Sequence, residues 1–167
     1  MTPAATGASS DHGQERPERL PAGARVVVKV GSSSLTRADG GLDLNRIDIL
    51  AGLIAGMRRR GHDVVLVSSG AVASGLVPLG MSRRPDELCL LQAAASVGQG
   101  RLAARWETAM SAYGLVTAQV LLTAHDVAIR SHYRTVRATF DSLLSLGAVP
   151  IINENDAVAT SEFSLGD

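Results

Sequence analysis

Four short apolar runs, rich in β-branched residues, recur along the chain and alternate with longer stretches of helical periodicity. The first is Arg25–Val30; the others cover residues 64–67, 116–122 and 149–152. Continuous apolar runs of this kind read as strands of a parallel sheet, and the first is expected to be fully buried. Between the first two runs, Ile47, Leu50, Ile54 and Met57 fall on one face of a helix over residues 43–60. Asp43 or Asn45 can cap its start, and Gly61 can close its end. Arg58, Arg59 and Arg60 occupy the last turn, where cations suit the helix dipole, and are expected to be solvated. A short helix over residues 71–77 is ended by Pro78 and Gly80, and a long one spans residues 85–112. Gly98 and Gly100 in the middle of the long helix mark close packing or a break. Trp106 is expected in the core or at an interface, and Cys89 in the core. A third helix starts near Ser131 and ends at Leu146, with Val136, Phe140, Leu143 and Leu144 on its buried side. Residues 1–23 lack periodicity and read as a disordered leader, and residues 157–167 as the beginning of further strand structure.

Strands alternating with amphipathic helices imply βαβ units. The expected fold is α/β, a three-layer αβα sandwich with a mainly parallel sheet, over residues 24–167. In such sheets ligands bind beyond the carboxyl ends of the strands. Three of the four runs end there in polar, site-like sequence: Gly31, Ser32, Ser33 and Ser34; Ser68, Ser69 and Gly70; Asn153, Glu154, Asn155 and Asp156. Lysine is seldom fully buried without a partner, so Lys29 is expected to reach past its strand end towards an anion. The turn after it reads as a tight one that offers backbone and hydroxyl donors. Together these features suggest a phosphate site. It is of neither common kind, because Gly-x-Gly-x-x-Gly does not follow the first strand and Gly-x-x-x-x-Gly-Lys-Ser/Thr occurs nowhere.

Composition narrows the picture. The chain has 167 residues, enough for one domain, and aromatics are only 3%, so aliphatic side chains must fill the core. The 16 basic residues balance the 16 acidic ones, and nothing global points to nucleic acid or an anionic membrane. A single cysteine excludes an internal disulfide and a cysteine-based zinc cage. No apolar run reaches the ~18 residues of a membrane span, and no secretory h-region opens the chain, so a cytoplasmic location is expected. His12, His62, His125 and His132 lack metal-ligand spacing and are expected at the surface or in local bonds.

Three motifs, in order, resemble the glutamate 5-kinase branch of the amino-acid kinase family. They are Val-Lys-Val-Gly-Ser-Ser-Ser-Leu-Thr (residues 28–36), Val-Ser-Ser-Gly-Ala-Val-Ala-Ser-Gly (67–75) and Ile-Asn-Glu-Asn-Asp-Ala-Val-Ala-Thr (152–160). Ala-Ala-Ala-Ser-Val-Gly-Gln-Gly (93–100) fits the same branch. The resemblance implies ATP-dependent phosphorylation of the γ-carboxylate of L-glutamate, the first step of proline synthesis. It implies ATP and Mg2+ as cofactors, proline as a feedback inhibitor and a homo-oligomer. By the same resemblance, Lys29 contacts the ATP phosphates and the transferring group, and Gly31 and Ser32 belong to the phosphate-cradling loop. Ser69, Gly70 and Asp156 bind glutamate, and Asn153 is a nearby active-site asparagine. The family pattern runs on past Asp167, into the adenine-binding half, so these residues correspond to the glutamate-binding part of a kinase domain. Two alternatives stand beside this one: a non-catalytic piece that at most binds glutamate weakly, and a sister kinase acting on another carboxylate or phosphate.

Overall fold

A computed structural model of the chain describes residues 20–37 and 40–157. Four strands, β1 (Arg25–Val30), β2 (Asp63–Ser68), β3 (Thr117–Leu122) and β4 (Val149–Glu154), form one parallel sheet in the order β1-β2-β4-β3. Six helices connect them: α1 (Ser32–Leu35), α2 (Leu44–Arg59), α3 (Ala71–Leu76), α4 (Leu88–Ser111), α5 (Ala124–Ala128) and α6 (Arg130–Ser145). The chain advances along the sheet from β1 to β2 and on to β3, then turns back to insert β4. Parallel crossovers are right-handed, so α2 and α4 share one face and α6 takes the other. The packing agrees, with α2 against β2 and α4, α4 against β3, and α6 against β4. The expected three layers are present among the described residues. The leader is described only from Leu20, and the strand expected beyond Ala157 lies outside the described residues.

Asp43 caps α2 by accepting a hydrogen bond from the backbone N–H of Arg46 at 3.1 Å. Beyond the helix, Gly61 adopts a φ of +82°, the left-handed conformation that a helix stop of this kind requires. Ile47 and Ile54 are fully buried, as are Leu66 of β2 and Leu102, Trp106 and Met110 of α4. Burying each such side chain stabilises the fold by roughly 1.5–3 kcal/mol. The long helix does not break at its glycines. A Cβ on Gly98 would stand 1.8 Å from the carbonyl oxygen of Ala71, and one on Gly75 would stand 1.9 Å from that of Ala94. The two glycines let α3 and α4 touch backbone to backbone. Gly100, two residues on, faces open space.

Several expectations need correction. β1 is an edge strand among the described residues, not a fully buried one: Arg25, Val27 and Lys29 are exposed, Val27 by 63%. Those three residues share the α6 face, and α6 packs over β4, two strands away. An ion pair of Asp141 with Arg25 links it to β1. The serines after Gly31 form the single helical turn α1, not a tight turn, and Gly31 itself has an ordinary φ of −75°. Cys89 is exposed, because α4 starts beyond the sheet and buries nothing before Ala94. His62 is 6% exposed with its Nδ1 buried and unpartnered, rather than at the surface. Arg58 is not a solvated member of its triplet. Its guanidinium donates to the His62 carbonyl and to Asp63 Oδ1, both at 3.0 Å, and to the Gly147 carbonyl at 3.3 Å. Both carbonyls lie just past the ends of α2 and α6, and with Asp63 they give the cation its acceptors. The helix α5 was not foreseen; Thr123 and Asp126 cap it reciprocally.

The glycine contacts generate a test. Gly98→Ala is expected to cost at least the ~1–3 kcal/mol of an overpacked core. Gly100→Ala is expected to be neutral or to stabilise by up to ~1 kcal/mol through helix propensity. Urea unfolding of the two variants measures both, and equal stabilities would contradict the backbone contact.

Candidate active site

The carboxyl ends of all four strands lie along one edge of the sheet. Val30 pairs with Ser68, and the β2–β4 register continues by one residue to bring Ser68 level with Asn153. Asn153 pairs in turn with Leu121 of β3. The three polar strand ends therefore share one lip, with β1 and β4 about 10 Å apart at the usual strand spacing.

At the β1 and β2 end, the backbone N–H of Ser69 donates to the Val30 carbonyl at 2.9 Å and ties the two loops together. Gly70 caps α3 with a φ of +107°, a conformation that excludes most side chains. Ser69 does not cap α3 with its side chain, so the ordinary structural use of a serine before a helix is not the one seen here. Its neighbour Ser68 is 2% exposed and doubly engaged. The Ser68 hydroxyl donates to the Ser69 carbonyl at 3.1 Å and accepts from the indole N–H of Trp106 at 3.0 Å. A fully buried tryptophan thus holds the peptide next to Ser69. Gly31 has open space where a side chain would stand, so a ligand can approach its backbone closely. Ser32 is exposed at the start of α1.

At the β4 end, a cleft of about 290 Å³ opens between α4 and the last residues of β3 and β4. Ser96, Gln99, Gln119, Glu154, Asn155 and Asp156 contribute its polar groups. Asn153 is buried beneath it, and its side-chain amide donates a hydrogen bond to Gln99 Oε1 on α4. Burial pushes the Asp156 carboxyl above its ordinary value, and the Arg84 guanidinium pulls it part of the way back. Burial also raises the Glu154 carboxyl, with a further push from the charge of Asp156.

The structure joins these groups only in part. Lys29 is level with Val67 and Ile152, so it leaves the sheet on the α6 face, whereas Ser68 and Asn153 face α4. Lys29 and Asn153 can meet a common ligand only over the lip, which Lys29, next to last in its strand, is long enough to reach. Among the described residues none forms an ion pair with Lys29. Lys29, Gly31, Ser32, Ser69 and Gly70 lie outside the 290 Å³ cleft, which takes in Asp156.

The profile of the amino acid kinase family matches residues 24–167. The chain belongs to the amino acid kinase family. Among curated relatives, it is 57% identical to a glutamate 5-kinase of Streptomyces coelicolor over 143 residues, which are 86% of this chain and 38% of the relative. It is 55% identical to one from Salinispora arenicola, covering 90% of this chain and 41% of the relative. A third, from Thermobifida fusca, is 54% identical over 93% of this chain and 40% of its own length. The chain thus spans about 40% of the length of these relatives.

Within this amino acid kinase chain, two residues that act on the cleft's polar groups escaped the sequence reading. Arg84 sits in the loop before α4 with no pattern to mark it. Gln99 belongs to a motif that carried the resemblance, yet only the fold reveals its bond to Asn153. No three histidine, cysteine, aspartate or glutamate side chains cluster as a metal cage among the described residues. No helix among them is long and apolar enough to cross a membrane.

The raised carboxyls predict how stability depends on pH. A carboxyl raised by folding binds its proton more tightly in the native state than in the unfolded one. Its contribution is therefore fully present below the ordinary carboxylate range of about 4, and is lost as pH rises through the raised value. Asp156→Asn is expected to raise the melting temperature at neutral pH and to leave it little changed near pH 4. Calorimetry at the two pH values measures this; a lower melting temperature at neutral pH would show instead that the charge holds the fold.

Proposed function

We propose that this chain supplies the glutamate-binding part of a kinase that phosphorylates the γ-carboxylate of L-glutamate with ATP, giving L-glutamyl 5-phosphate, the entry to proline synthesis. The observation that carries the proposal is the division of the lip. A half-buried Asp156 carboxyl stands at one end, and Lys29 beside the open backbone of Gly31 stands at the other. The curated relatives named glutamate 5-kinase support the choice of substrate.

The chemistry explains why the charges must be kept apart. A glutamate side chain has a reference pKa of about 4.3, so it is already a nucleophilic carboxylate at neutral pH and needs no general base. The obstacle is repulsion from the γ-phosphate. Two unit like charges about 4 Å apart repel by about 4 kcal/mol at an effective dielectric near 20. In this proposal Lys29 and the backbone N–H groups after Gly31 offset that repulsion at the transferring group. Ser32 stands in the same phosphate loop. Asp156 would oppose transfer there, but at the far end it suits the substrate ammonium. Ser69 and Gly70 hold the substrate from the β2 side, and Asn153 lines the same site from the end of β4. Alignment of the two reactants can contribute ~7–11 kcal/mol. Mg2+ fits as a passenger of ATP, because it is held mainly by phosphate oxygens and water with few protein ligands. Cytoplasmic location, self-association and inhibition by proline belong to the same proposal.

The test is a chimera in which residues 24–167 replace the matching segment of the Streptomyces coelicolor relative. Glutamate-dependent ADP formation is expected. Preference for aspartate, N-acetylglutamate or UMP would overturn the substrate, and loss of all turnover would favour a non-catalytic binding role. In the active chimera, Lys29→Met is expected to lower kcat by about 100-fold or more, while Asp156→Asn mainly raises the KM for glutamate.

A further inference from the structure

We infer that Gln99 is a positioning residue for substrate binding, acting through Asn153; this rests on the proposed glutamate site. Asn153 is 8% exposed, at the end of β4, so its side-chain amide must find partners within the protein. Its amino group donates to Gln99 Oε1. With one amino N–H given to Gln99, Asn153 keeps its acceptor Oδ1 and its second N–H for other partners. An acceptor three residues from Asp156 complements a substrate ammonium, whereas a flipped amide would present donors and repel it.

Gln99 is itself held in place. It follows Gly98, whose missing side chain lets α4 rest on the backbone of Ala71, directly after Ser69 and Gly70. It also lines the cleft that contains Asp156. One residue therefore bonds the β4 lip from a helix whose position is set by the β2 lip. The two loops proposed to grip glutamate are tied in mutual register through Gln99.

The predicted signature separates this role from general packing. Gln99→Met keeps the length and helix propensity but offers Asn153 no comparable acceptor. Gln99→Glu keeps an acceptor oxygen in the same place. In the active chimera, Gln99→Met is expected to raise the glutamate KM about tenfold, with the ATP KM within about twofold of the parent. Gln99→Glu is expected to recover most of that loss. In the 167-residue chain, nitrogen-15 spectra should show the Asn153 side-chain amide protected from exchange in the parent and in Gln99→Glu, and unprotected in Gln99→Met. Unchanged glutamate KM in Gln99→Met, or equal damage in both variants, overturns the inference. Equal rises in both KM values also overturn it, by indicating a packing defect. A chimera with no glutamate turnover before any substitution defeats the underlying functional proposal instead, and this inference with it.

Discussion

The arrangement of the site depends on one close approach, where α3 and α4 meet with no side chain between them. At Gly75 and Gly98 the two helices come closer than any Cβ allows. That distance sets the height of the β2 loop against α4, and so the position of Ser69 and Gly70 relative to Gln99, Asn153 and Asp156. Two motifs of the chain, residues 67–75 and 93–100, are the two sides of this contact. Their small residues serve the contact, and the polar residues beside them serve the lip.

The sheet imposes a second constraint. Successive residues of a strand face opposite ways, so Lys29 and Asn153 cannot be neighbours on one face of this register. Their only shared ground lies past the strand ends, where opposite charges can sit far enough apart to grip two ends of one ligand. The same lip leaves its acids partly desolvated, which is why Glu154 and Asp156 hold protons more tightly than free carboxyls do. A site of this kind works against the stability of the unliganded fold, since burial of its acids is offset only in part by the Arg84 guanidinium.

Much of this was legible in the residues. The β-branched runs and the spacing of Ile47, Leu50, Ile54 and Met57 encode local periodicity, and the fold follows it closely. The strand ends could be grouped because parallel connections leave them no other edge. What the residues hid depends on distant partners. β1 looks buried by composition, but its exposure follows from the strand order and from where α6 lies. Arg58 looks like any helix-end cation until the turn at Gly147 arrives beneath it. Cys89 looks like a core residue, but α4 outruns the sheet there. Arg84 and Gln99 gain meaning only from the return of β4 between β2 and β3, which no local pattern announces.

Trp106 is the single tryptophan in the chain. It is fully buried, and its indole N–H ends a relay that runs through the Ser68 hydroxyl to the carbonyl of Ser69. The fold has thereby wired its one strong fluorophore to the loop proposed to receive the substrate. With no second indole to dilute the signal, a shift in emission wavelength reads the state of that single hydrogen-bonded chain, and the protein carries its own optical gauge of how the β2 lip responds to a ligand.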